Sequence, residues 1–84
     1  MSIRDYDELN PNKLEIGDVG YIPIQLLKPS QPDDKKYSLS KSPIEICSDK
    51  ENIIVIHGNH RYYQEIKESN KKILAVVKKN PYQF

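Results

Sequence analysis

The residues of this chain best suited to chemistry cluster in one segment, His57-Gly58-Asn59-His60-Arg61-Tyr62. A β-branched run, Ile53-Ile54-Val55-Ile56, leads into it, and a stretch able to form a helix follows. A buried strand that breaks at a glycine and turns into a helix makes an anion site by geometry. The first backbone N–H groups of a helix have no acceptor within it, and the aligned peptide dipoles place partial positive charge there. Gly58 would let a ligand approach the backbone closely, and Asn59 suits the N-cap position. His60 and Arg61 then fall in the first turn, where cations oppose the helix dipole and a bound anion would relieve the conflict. Arg61 can grip a phosphate through two parallel N–H bonds. His60 can donate or shuttle a proton near neutral pH, which makes it the candidate catalytic residue. On the local pattern alone, a capped helix start with surface cations explains the same residues.

The elements around the turn follow from periodicity. Val19-Gly20-Tyr21-Ile22-Pro23-Ile24 is extended in character, and Pro23 suits a strand end or a sheet edge. Leu26 to Pro32 reads as a turn-rich connection, because Pro29 and Pro32 exclude regular helix. Asp33 to Ser42 is polar and holds a helical turn at most. Ile44-Glu45-Ile46-Cys47 alternates apolar and polar residues, Ser48 to Asn52 forms a hairpin loop, and Ile53 to Ile56 is the buried return strand. The helix is expected over His60 to Ser69, with Tyr62, Ile66 and Tyr63 facing the core and Asn70 at its C-cap. Ile73 to Val77 is the last strand. The order β-loop-β-β-α-β makes the class α+β, a small mixed β-sheet with one principal helix. Residues 1–18 form a polar, acidic N-terminal arm, and residues 19–84 the domain proper.

Bulk properties narrow the classes. The chain has 84 residues, 37% hydrophobic and 30% charged, with net charge +1. That suits one small soluble domain, and no apolar run approaches the ~20 residues of a membrane span. The single cysteine, Cys47, permits no internal disulfide, fits a reducing cytoplasm, and reads as a buried small hydrophobe. With Cys47, His57 and His60 the only Cys and His residues, a metal centre is not expected. Charge is uneven. Residues 1–34 carry seven acids against three bases, and residues 52–84 carry six bases against two acids. The basic half is the one that holds the turn, which favours an anionic ligand there.

Gly58-Asn59-His60-Arg61-Tyr62, placed after a β-branched strand and before a helix, resembles the Gly-Cys-His-Arg-Tyr turn of sulfiredoxin and of the wider ParB/sulfiredoxin-like superfamily. Tyr21-Ile22-Pro23-Ile24 and Leu27-Lys28-Pro29-Ser30-Gln31-Pro32 resemble that superfamily's opening strand and proline-rich turn. Lys35-Lys36-Tyr37-Ser38-Leu39 is similar to its Lys-x-x-Ser-Leu segment, and Ser42 falls where sulfiredoxin has a threonine. The resemblance covers residues 19–80. It implies a phosphate- or nucleotide-binding site built from Lys35, Ser38, Ser42, Gly58, Asn59, His60 and Arg61. The ligand it implies is ATP or another nucleotide, with Mg2+ alongside, and ATPase or phosphotransfer chemistry. Asn59, however, stands at the position of the sulfiredoxin cysteine, and asparagine supplies no thiolate. Pro43 also arrives where family members continue a helix over the pocket.

Two other functions compete with this one. A nucleic-acid-binding or nuclease module would use the basic half with Tyr62, Tyr63 and Tyr82, and would draw any base from Glu45 or Glu65, carboxylates that otherwise read as plain surface residues on a strand and a helix. A non-catalytic protein-interaction domain would keep the fold and offer a partner the edge left by the missing helix.

Overall fold

A computed structural model of the chain describes residues 6–33, 42–49 and 52–81. Five strands form one mixed sheet with a single helix: β1 (Val19–Pro23), β2 (Leu27–Pro29), β3 (Ile44–Asp49), β4 (Asn52–His57), α1 (Asn59–Lys67) and β5 (Lys72–Val77). The order across the sheet is β1-β5-β3-β4-β2. β1–β5 and β3–β4 pair antiparallel, while β3–β5 and β2–β4 pair parallel. The α+β class, the hairpin of β3 and β4, and the edge position of the Pro23 strand all agree with the sequence reading.

The connection from Leu26 to Pro32 departs from expectation. A 3-10 turn at Ile24–Leu26 leads into it and it contains the short strand β2, so the chain has one strand more than the sequence suggested. The prolines exclude helix but tolerate a sheet edge, where the missing N–H of Pro29 leaves no inner ladder bond unmade. Leu27 anchors this edge, being 4% exposed within the core. The β3–β4 hairpin is also longer than expected, since Ser48 and Asp49 remain in β3 and Asn52 already belongs to β4.

Ile22, Ile44, Ile46, Val55, Ile73 and Val77 project from the sheet into one core, which Tyr62 of α1 joins. Along β1, β4 and β5 they alternate with less buried neighbours, as the period of two requires, whereas in β3 Ile46 is followed by the equally buried Cys47. Part of the N-terminal arm lies along the free edge of β1. The Leu9 amide donates to the Tyr21 carbonyl (2.7 Å) and the Tyr21 amide to that of Asp7 (3.0 Å). An otherwise open edge is thereby partly paired.

The helix corrects three expectations. It runs Asn59–Lys67 rather than from His60 to Ser69. Ile66 is 45% exposed, while Glu65, expected on the surface, is 9% exposed. Asn70 is not the C-cap, because Glu68 holds that position and Ser69 follows with φ +62°. The amides of Ser69 and Asn70 donate to the carbonyls of Ile66 and Glu65, both at 3.0 Å, which is the Schellman pattern. That pattern favours glycine at the left-handed residue, and a side chain there costs roughly 1–2 kcal/mol. Ser69→Gly is therefore expected to stabilise the domain by about 1 kcal/mol in urea titration.

Candidate functional site

β4 delivers the chain to the turn, and α1 carries it away. Gly58 occupies the N-cap position with φ +99° and ψ +24°, a left-handed conformation that suits glycine. A β-carbon at Gly58 would also lie 2.5 Å from Cγ2 and 2.8 Å from Cβ of Ile44, the first residue of β3. The glycine is thus required by backbone conformation and by packing against the neighbouring strand. Ligand approach, the reason offered from sequence, is not needed to explain it.

Asn59 corrects a second expectation. It is the first helical residue and not the cap, and it is 6% exposed. Its side-chain oxygen accepts from the Ser30 amide (3.0 Å), and its side-chain amide donates to Ser30 Oγ (3.1 Å). Ser30 Oγ in turn donates to the Val55 carbonyl at 2.5 Å. These bonds make a clamp that ties the helix start to the end of β2. Asn59→Ala would leave the Ser30 amide without that acceptor and is expected to cost about 1–3 kcal/mol, measurable by urea denaturation.

The first intrahelical bond runs from the Tyr62 amide to the Gly58 carbonyl at 2.9 Å. The amides of Asn59, His60 and Arg61 precede it in the positions that have no acceptor within a helix. Arg61 Nε donates to Glu65 Oε2 at 2.6 Å, with the two side chains 19% and 12% exposed. Glu65 Oε1 accepts from the Asn70 side-chain amide, also at 2.6 Å. Sequence reasoning treated Glu65 as a plain surface carboxylate, but it braces Arg61 and joins the two ends of the helix. The signal was present, since an arginine and a glutamate four residues apart share a helix face. Part of the expected conflict between Arg61 and the helix dipole is therefore balanced internally.

Ser42, Gly58, His60 and Arg61 line one small cavity of about 130 Å³, together with Pro43, Ile44, Glu45 and His57. Four of the residues singled out from sequence thus meet, across the gap between the segment before β3 and the helix start. Asn59 is not among them, because its side chain is committed to Ser30. Lys35 and Ser38 lie outside the described residues. His57 and Glu45, paired across β3 and β4, also line it; neither belongs to the expected phosphate-binding set, although His57 opens the segment singled out from sequence and Glu45 is a candidate base of the nuclease reading.

Cys47 lies on β3 paired with Ile54, and its side chain is fully buried. Burial pushes its thiol pKa up, and nearby Asp49 pushes it further. The unfolded chain then deprotonates first as pH climbs past the ordinary thiol value of about 8.5. The stabilisation is complete below that value and is lost as pH rises through the raised pKa of the folded state. Urea midpoints are expected to fall from neutral to mildly alkaline pH in the parent and to change less in Cys47→Ala.

Among the described residues, no three of His, Cys, Asp and Glu group to hold a metal ion, and no helix is long and apolar enough to cross a membrane. No protein-family model matches the chain, and no curated protein matches it in sequence. Nothing in these comparisons identifies the ParB/sulfiredoxin-like superfamily that the sequence resembles.

Proposed function

We propose that this domain binds the phosphate group of a small anionic ligand in the cavity between Ser42 and the start of α1. The observation that carries the reading is the convergence of Ser42, His60 and Arg61 on that one cavity. A hydroxyl, an imidazole and a guanidinium suit the oxygens of a phosphate, and the helix start adds partial positive charge. The volume, about 130 Å³, sets the ligand's scale. It equals the liquid volume of only a few waters at ~30 Å³ each, whereas whole small-molecule pockets run to roughly 300–1,000 Å³. The small cavity by itself matches a phosphoryl group rather than a whole nucleotide. ATP or another nucleotide, with any accompanying Mg2+, enters this reading only by placing one phosphoryl group in the cavity.

Binding is the activity best supported. Asn59 offers no nucleophile where sulfiredoxin has one, and its side chain is held by Ser30. His60 and His57 are the two imidazoles at the cavity wall suited to proton transfer near neutrality, so phosphotransfer would depend on one of them.

Thermal unfolding with inorganic phosphate tests the proposal. A ligand that binds only the folded state stabilises it by about 2.7 kcal/mol at a hundredfold excess over its Kd. The melting temperature is expected to rise saturably with phosphate and not with chloride at equal ionic strength. Equal response to the two anions would reject the reading.

A further inference from the structure

The phosphate cavity has a neighbour. A second, open cavity of about 520 Å³ is lined by Glu45, Ile56, His57, Lys78, Lys79 and Pro81. Glu45 and His57 line both cavities, so the two adjoin across these residues. The sheet fixes this arrangement. Glu45 pairs with His57 on one side and Val76 on the other, and the Lys78 amide donates to the Ile46 carbonyl at 2.8 Å. β5 thus delivers Lys78 and Lys79 beside the β3–β4 pair.

The side chains at this junction are uncommitted. Among the described residues, those of Glu45, His57, Lys78 and Lys79 make no hydrogen bond and no ion pair. Arg61, already paired with Glu65, and His60 line only the small cavity, Lys78 and Lys79 line only the large one, and the Glu45 carboxylate lies with His57 on both. Two cationic ends with an acceptor between them complement a ligand of the opposite order, with an anion at each end and hydroxyls in the middle. A bare inorganic anion uses only the first end, and an apolar ester leaves the carboxylate without a donor.

We infer that the ligand of this site is a hydroxylated compound with two anionic groups, of the sugar-bisphosphate class. One phosphate fills the small cavity, the hydroxyls donate to Glu45, and the second anionic group lies against Lys78 and Lys79 over Ile56 and Pro81. The inference rests on the phosphate reading above and extends it to the ligand's body. The larger cavity falls within the range of small-molecule sites, roughly 300–1,000 Å³.

Calorimetric titration of the whole chain with inorganic phosphate, fructose 6-phosphate and fructose 1,6-bisphosphate tests it. The bisphosphate is expected to bind at least about tenfold more tightly than phosphate, since each tenfold needs only ~1.4 kcal/mol. The double variant Lys78→Ala/Lys79→Ala is expected to lose that gain and keep the parent affinity for phosphate. Glu45 also lines the phosphate cavity, so Glu45→Ala is read as a ratio: both sugar phosphates are expected to lose affinity relative to inorganic phosphate measured on the same variant. If phosphate binds but the bisphosphate gains nothing, or the gain survives in the double variant, this inference falls and the phosphate reading stands. If none of the three binds, both fall.

Discussion

Replacing Gly58 with alanine is expected to be among the most destabilising single-methyl changes in this protein, at about 2–5 kcal/mol. Two costs add. A non-glycine residue held in the left-handed region costs roughly 1–2 kcal/mol. Forcing atoms into a filled space costs a further 1–3 kcal/mol, and here the space belongs to the buried side chain of Ile44. Whole-domain stability scales as ~0.05–0.15 kcal/mol per residue, so the loss is a large share of what an 84-residue chain has. Gly17 supplies the control. It has nearly the same φ, +98°, but a β-carbon there would meet nothing within 4 Å. Gly17→Ala should show the conformational cost alone, about 1–2 kcal/mol. Equal losses in the two variants, read from urea midpoints, would mean that the contact with Ile44 contributes nothing.

The second large effect is on binding. Arg61→Ala is expected to weaken phosphate affinity by about ten- to a hundredfold, because a hydrogen bond to a charged group contributes roughly 1.5–3 kcal/mol. The same change removes the cationic partner of Glu65, a carboxylate with little exposure, and leaves it only Asn70 among the partners described above. The variant should therefore also be less stable before any ligand is added, and affinity must be measured well below its unfolding temperature. Arg61→Lys separates charge from shape. Lysine keeps the positive charge but loses the planar fork, so phosphate binding should fall to an intermediate value. Full retention of affinity in Arg61→Ala would remove this residue from the site.

The strands were legible because their apolar spacing is the physical cause of their burial. Ile44-Glu45-Ile46, Ile53 to Ile56 and Ile73 to Val77 all became strands of the sheet. β2 was hidden because Pro29 and nearby Pro32 speak against helix and say little about a three-residue edge strand. Of the candidate site, Ser42, His60 and Arg61 could be assembled from the likeness to a known turn, and the structure brings them to one cavity. The roles of Gly58 and Asn59 could not be read locally, because each depends on a partner distant in sequence. Ile44 fills the space beside Gly58, and Ser30 binds the side chain of Asn59. Glu65 was misjudged for a related reason. A helical carboxylate is usually solvated, but here Arg61 and Asn70 both satisfy it, and that makes its burial affordable.

The central claim is that a phosphate sits among Ser42, His60 and Arg61 at the start of α1. Titration of the 15N-labelled protein with inorganic phosphate, followed amide by amide in proton–nitrogen correlation spectra, tests it most directly. The account predicts saturable shifts at Asn59, His60 and Arg61 that share one dissociation constant and disappear in Arg61→Ala. Shifts confined to exposed lysines such as Lys71 and Lys72, or a linear response without saturation at the helix start, would contradict it.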